Sequence, residues 1–200
     1  MPLCREGRRM SLHQQLSEGS LYTGVVSASL FVLAEASANP GLLGRLEFHS
    51  TRHQCLWHLD HHTGLEKHAP LLFQLTAGSE LDAWLGSLDG AFACTFAETT
   101  LPLEALARHL RRFGKVQEGR RRYFMRLGDP RSLSFYVGSL TQQPDTLARL
   151  FDHGRIRKLY FHDSRTGLAL GAQPLFEQTE SSIEREGCLA WLPLRHEVPA

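Results

Sequence analysis

The chain is poor in the features that mark a catalyst. Four cysteines in 200 residues, Cys4, Cys55, Cys94 and Cys188, lie far apart and form no CxxC pair. This spacing gives no disulfide framework and no thiol-based metal or redox motif, and it fits free thiols in a reducing compartment. No GxSxG elbow and no HExxH pair occurs, so neither a serine hydrolase nor a zinc protease has its usual frame. No apolar run is long enough to span a bilayer as a helix. The formal net charge is +1, so no overall field draws the protein to nucleic acid or membrane. There is no internal repeat and no low-complexity segment.

What is present is a globular composition, 42% hydrophobic and 22% charged, with enough length for one domain or two small lobes. Residues 1–20 read as a polar arm. Arg5, Arg8 and Arg9 precede the apolar run Leu21 to Ala34, a pattern shared with secretory leaders. Glu6, Gln14, Gln15 and Glu18 interrupt it, and the run divides into a strand over Leu21 to Val26 and a short helix over Ser29 to Ser37, stopped by Asn39-Pro40-Gly41. The expectation is therefore a cytoplasmic, folded element. Strands are expected over His53 to Leu59, Pro70 to Thr76 and Ala91 to Phe96. A helix capped by Ser79 carries Leu81, Trp84, Leu85 and Leu88, with Asp82 in a weak capping box. Pro144 starts a further helix, and Ile156 to Phe161 with Leu168 to Gln173 form a closing hairpin. The fold class is mixed α+β: a mixed sheet with packed helices, then a short helical and hairpin C-terminal lobe. The domain spans 21–175, with any division into lobes near 98–100, and 176–200 is a tail.

The most informative stretch runs from Leu106 to Leu140. Leu103, Leu106, Leu110 and Phe113 make one helical stripe, and Gly114 ends that helix by its freedom to take positive φ. Glu118-Gly119 marks a turn. Beyond it Tyr123, Met125 and Leu127 alternate with Arg122, Phe124 and Arg126, as in a strand with one face inward. Asp129 is an N-cap and Pro130 a first helical residue, followed by Leu133, Tyr136, Val137 and Leu140 at helical spacing. From Arg108 to Arg131 nine Arg or Lys face two acids, a local net of +7 that leaves −6 for the rest of the chain.

These segments, Leu110-Arg111-Arg112-Phe113, Arg121 to Leu127 and Asp129-Pro130-Arg131, taken with the opening LYTGVVSASL, resemble the type VI secretion effector chaperones, or adaptors, of bacteria. The resemblance covers roughly Leu21 to Gln173. It implies a non-enzymatic protein without cofactor or bound metal, whose partners are a cognate secreted effector, bound near its N-terminal region, and the VgrG spike. Two positions depart from the pattern. Gly128 replaces an aromatic residue before Asp-Pro-Arg, and Ser27 replaces an acid, both changes expected to retune a partner surface. The chain also has little after Gln173, where relatives carry a longer helical lobe.

The residues that would meet a partner are Arg111, Arg112, Arg120, Arg121, Arg122 and Arg131, with Asp129, Pro130 and Arg131 forming the structural motif. Three other chemistries compete. His49, His53, His58, His61, His62 and His68 crowd together, but at no spacing that matches a zinc motif. Arg120, Arg121, Arg122 and Arg126 beside Tyr123 and Phe124 could bind nucleic acid, against which stands the acidic balance elsewhere. His162, Asp163 and Ser164 resemble a triad in letters only. Asp129 reads as a cap, and Arg131 as paired with a nearby carboxylate or carbonyl. Trp57, Trp84 and Trp191 read as core, with an exposed partner anchor as the alternative for Trp191 in the tail.

Overall fold

The computed structural model describes residues 11, 13, 28–57, 64–88, 92–175, 185–186 and 188–193. An antiparallel sheet runs β2-β3-β1-β4-β7-β8-β10-β9, built from β1 (Ser29–Glu35), β2 (His53–Cys55), β3 (Pro70–Gln74), β4 (Cys94–Thr99), β7 (Ile156–Asp163), β8 (Leu168–Pro174), β9 (Arg185–Glu186) and β10 (Leu189–Pro193). A separate two-stranded hairpin joins β5 (Lys115–Glu118) to β6 (Arg121–Phe124). The helices are α1 (Leu42–Phe48), α2 (Glu80–Gly86), α3 (Leu103–Arg111), α4 (Pro130–Ser139) and α5 (Pro144–Leu150). The fold is mixed α+β, as the sequence implies. Its sheet is antiparallel at every pairing among the described residues, so no neighbouring strands there need a crossover connection. Instead β3 and β4 flank β1, and α2 bridges them.

Strand alternation sorts the side chains onto two faces. On one, Leu30, Val32 and Ala34 of β1 pack with Leu71, Phe73, Phe96 and Tyr160 against Leu42 and Leu46 of α1 and Leu81 and Leu85 of α2. On the other, Phe31, Leu33, Ala97, Leu159 and Phe161 meet Leu106 and Leu110 of α3, Leu133 and Val137 of α4, and Leu147 and Leu150 of α5. The long excursion between β4 and β7 thus covers the second face.

This two-sided burial corrects one expectation. Ser29 to Ser37 is not a helix; Ser29–Glu35 is the strand β1, and every residue from Leu30 to Ala36 is buried. A strand covered on both faces loses its polar alternation and becomes a continuous apolar run, which cannot be told from a buried helix by pattern. The first helix after β1 is α1. The expected strand over Leu21 to Val26 lies outside the described residues, as do most of the polar arm and Ser27. Gly114 also differs: it is absent from the residues with positive φ, and α3 closes through successive N–H bonds from Arg112, Phe113 and Gly114 to His109, Leu110 and Arg111. The Ser79 cap holds, its hydroxyl accepting from the Asp82 N–H at 3.1 Å. The Asp82 carboxylate reaches back to the N–H of Gly78 at 2.9 Å, one residue before the cap.

Gly128 joins the excursion to the sheet. Its carbonyl accepts from the Glu35 N–H at 3.2 Å, and its own N–H donates to the Glu35 carboxylate at 3.2 Å. A Cβ at this position would sit 2.6 Å from Glu35 N and 2.7 Å from Ala34 C. Gly128 is buried, so its departure from an aromatic is a matter of backbone approach and not of a partner surface. Gly128→Ala is expected to lower the stability of the fold by about 1–3 kcal/mol or more, read as a lower urea midpoint. An unchanged midpoint would mean that the two backbones are not held in contact.

Candidate partner-binding surface

The apolar stripe of α3 sets the direction of everything after it. Leu103, Leu106, Ala107 and Leu110 are buried and Phe113 packs against the same core, so Arg108 and Arg112 face out. Arg111 turns inward: it donates to the Cys55 carbonyl at 2.6 Å and to Gln54 Oε1 at 3.3 Å. It is a strut between α3 and β2.

Beyond α3 the hairpin projects. Lys115 pairs with Phe124, Val116 with Tyr123, Gln117 with Arg122 and Glu118 with Arg121, around a two-residue turn of Gly119, in left-handed conformation at φ 58°, and Arg120. The base is fixed by the Met125 N–H to the Gly114 carbonyl at 3.1 Å and by burial of Leu127. The body is not: Tyr123 is 44% exposed and Phe124 72%. Inward burial therefore begins at Met125, which packs on the core, and Tyr123 does not join it. The Lys115 ammonium stands 5.9 Å from the Phe124 ring centre, a cation–π contact. Arg112, Arg120 and Arg121 are exposed and make no ion pair among the described residues. The Arg122 side chain lies outside the described set.

Past the hairpin the charges are tied together. Asp129 caps α4, accepting from the Arg131 N–H at 3.0 Å. The Arg131 guanidinium binds the same carboxylate through Nε at 3.2 Å and Nη2 at 3.1 Å and lies 3.6 Å from Asp163. Asp163, buried at the end of β7, accepts from Arg165 Nε at 3.1 Å. Arg126 stands 3.7 Å from Asp129. Arg131 is thus committed to two carboxylates. Burial would raise the Asp129 pKa, but the Arg131 hydrogen bonds and charge outweigh it and hold the carboxyl below its ordinary value. Glu35, which ends β1, has the opposite balance: burial raises its pKa, and the Gly128 N–H and the Arg126 charge offset that only in part.

The competing chemistries find little geometry. His49 pairs with Glu80 at 3.2 Å and His53 Nδ1 lies 2.9 Å from the Thr51 carbonyl, while His58, His61 and His62 fall outside the described residues. Among the described residues no three metal-ligating side chains converge. His162 and Asp163 are successive strand residues and point to opposite faces. Burial raises the thiol pKa of Cys55 and, more strongly, of Cys94, where Asp163 adds to it, which suits inert thiols. Trp84 and Trp191 pack against the two cores, whereas Trp57 is 39% exposed and is not core.

Sequence reasoning passed over two features. The Glu35 anchor carried a faint signal, an acid closing an apolar run. Phe135, 81% exposed on α4, falls off the helical stripe and could have been found from that offset.

The pKa directions set a pH dependence. A raised carboxyl pKa contributes stability below the ordinary Glu value of 4.5 that is lost as pH rises through the folded value, whereas the lowered Asp129 contributes above 3.8 and fails as pH falls through its folded value. Glu35→Gln removes the first contribution, so its thermal midpoint should gain on that of the unsubstituted protein as pH rises from 4.5 toward neutrality. A difference constant over that interval would contradict a carboxyl held above its ordinary value.

The family described as Domain of unknown function (DUF4123) matches residues 30–145, from β1 into α5. No curated protein matches the chain significantly, and no solved structure does.

Proposed function

The chain belongs to the DUF4123 family by a match over more than half its length, and from that membership we propose that it is a non-enzymatic adaptor. In this reading it binds a cognate type VI secretion effector in the cytoplasm, near the effector's N-terminal region, and assists its loading onto the VgrG spike. The observation that carries the reading is the hairpin: ten residues anchored at one end, with two exposed aromatic rings and cations free of acidic partners among the described residues. Aromatic and Arg side chains are the types that dominate protein interfaces, and a chaperone that must release its cargo needs a modest interface with a charged rim. Arg112, Arg120, Arg121 and Arg122 are the contact residues of this reading. Arg111 and Arg131, tied inside the fold, act by holding the surface in place.

Effector capture tests it. Co-purification from the producing bacterium should yield one secreted toxin together with the spike protein. The triple variant Arg112→Glu, Arg120→Glu, Arg121→Glu should reduce recovery of that toxin about tenfold or more with an unchanged thermal midpoint, because none of the three supports the core. Undiminished recovery would remove the hairpin from the interface.

A further inference from the structure

We propose that the outer edge of β6 is a docking strand, which takes an extended partner segment with two apolar residues followed by two acidic ones. The inference rests on the adaptor reading and specifies how the hairpin would hold its cargo.

The hairpin's register supplies the argument. A two-residue turn makes Glu118 and Arg121 a hydrogen-bonded pair, and in an antiparallel ladder such pairs alternate with non-bonded ones. Val116 and Tyr123 are therefore bonded, as the Met125 N–H to Gly114 carbonyl bond one step on agrees. The peptide groups of Arg122 and Phe124 then point away from β5. Among the described residues they meet no ladder, because the hairpin is not part of the main sheet. An open strand edge of this kind is a template for another strand, and strand addition is a common mode of peptide capture.

The order of residues along β6 states what would fit. Arg121 and Arg122 come first, at the turn; Tyr123 and Phe124 follow, at the base. Successive residues point to opposite faces, so each face of the edge offers one guanidinium position and then one ring position. An antiparallel strand laid along it would meet the rings first and the cations second, which calls for apolar-apolar-acid-acid in its own direction. Charge complementarity selects a peptide of this kind over a second copy of the chain, whose equivalent edge is equally basic. A nucleic acid would use the cations and rings but not the outward N–H and C=O groups.

The test uses the full chain and a fluorescent peptide with a central Val-Val-Glu-Glu, read by anisotropy. Binding is expected, together with slowed hydrogen exchange at the Arg122 and Phe124 amides. Lys in place of Glu, or a scrambled order, should weaken binding about tenfold or more. Arg122→Pro removes an outward N–H while sparing the hairpin's own ladder. It should abolish binding where Arg122→Ala only weakens it, and Gln117→Pro, on the opposite edge, should leave binding unchanged. Failure of the unsubstituted protein to bind the peptide would overturn the docking strand, as would equal effects of Pro and Ala at position 122. So would unchanged amide exchange with bound peptide, dimerisation abolished by Arg122→Pro, or displacement of the peptide by single-stranded DNA with no sensitivity to that proline. None of these outcomes touches effector capture, whose failure is read separately by co-purification.

Discussion

Gly128 and Glu35 grip one another through two hydrogen bonds, one backbone to backbone and one backbone to carboxylate. The approach is so close that no side chain fits at 128. The thirty residues between β4 and α4 are thereby tied to the end of β1, the strand at the centre of both cores. Three residues on, Arg131 reaches Asp163 at the end of β7. The two carboxylates lie on the same face, either side of the start of β4. The segment 128–131 consequently bridges β1 and β7, and it fixes the base of the hairpin on one side and the N-terminus of α4 on the other.

Buried acids make this end of the sheet costly as well as rigid. A carboxylate removed from water needs compensating partners, and here each has a different set. Asp129 has a bidentate guanidinium and a helix N-terminus. Asp163 has Arg165 and, at longer range, Arg131. Glu35 has a single N–H and a distant charge, and burial raises its pKa. Asn39 completes the seal, bonding the carbonyls of Glu35 and Ala93 and accepting from the Ala93 N–H. A third of the basic residues of 108–131 are thus engaged internally: Arg111, Arg126 and Arg131 all have partners in the fold.

The legibility of the chain followed local chemistry. The Ser79 and Asp129 caps, the Pro130 and Pro144 helix starts and the α3 stripe each depend on residues within a turn of one another, and the sequence displays them. β1 was misread because its environment is made by distant elements on both faces. Leu189–Pro193 had no periodicity of its own, and it is a strand because β8 offers an edge. At the candidate surface the sequence could display the arginines but not their partners, so Arg111 and Arg112, adjacent in sequence, looked alike although one is a strut and the other is exposed. Tyr123 failed in the same way. Alternation places it on one face of a strand, but whether that face meets a core depends on how far the hairpin stands from the sheet.

That stand-off is the property most in need of a cause. A two-stranded hairpin is marginal by itself in water, and this one leaves two aromatic rings exposed. Its ends are nevertheless determined, at Gly114 by the close of α3 and at Leu127-Gly128 by the clamp on β1. Stability therefore enters from the base, and the strands beyond it are held in register with no cover among the described residues. An arm built this way keeps its edge and rings accessible while its direction is set by the core. In the proposed reading it is the partner that covers the rings and balances the arginines. The charged part of such a contact weakens with salt, and the interface would be one that forms readily and lets go.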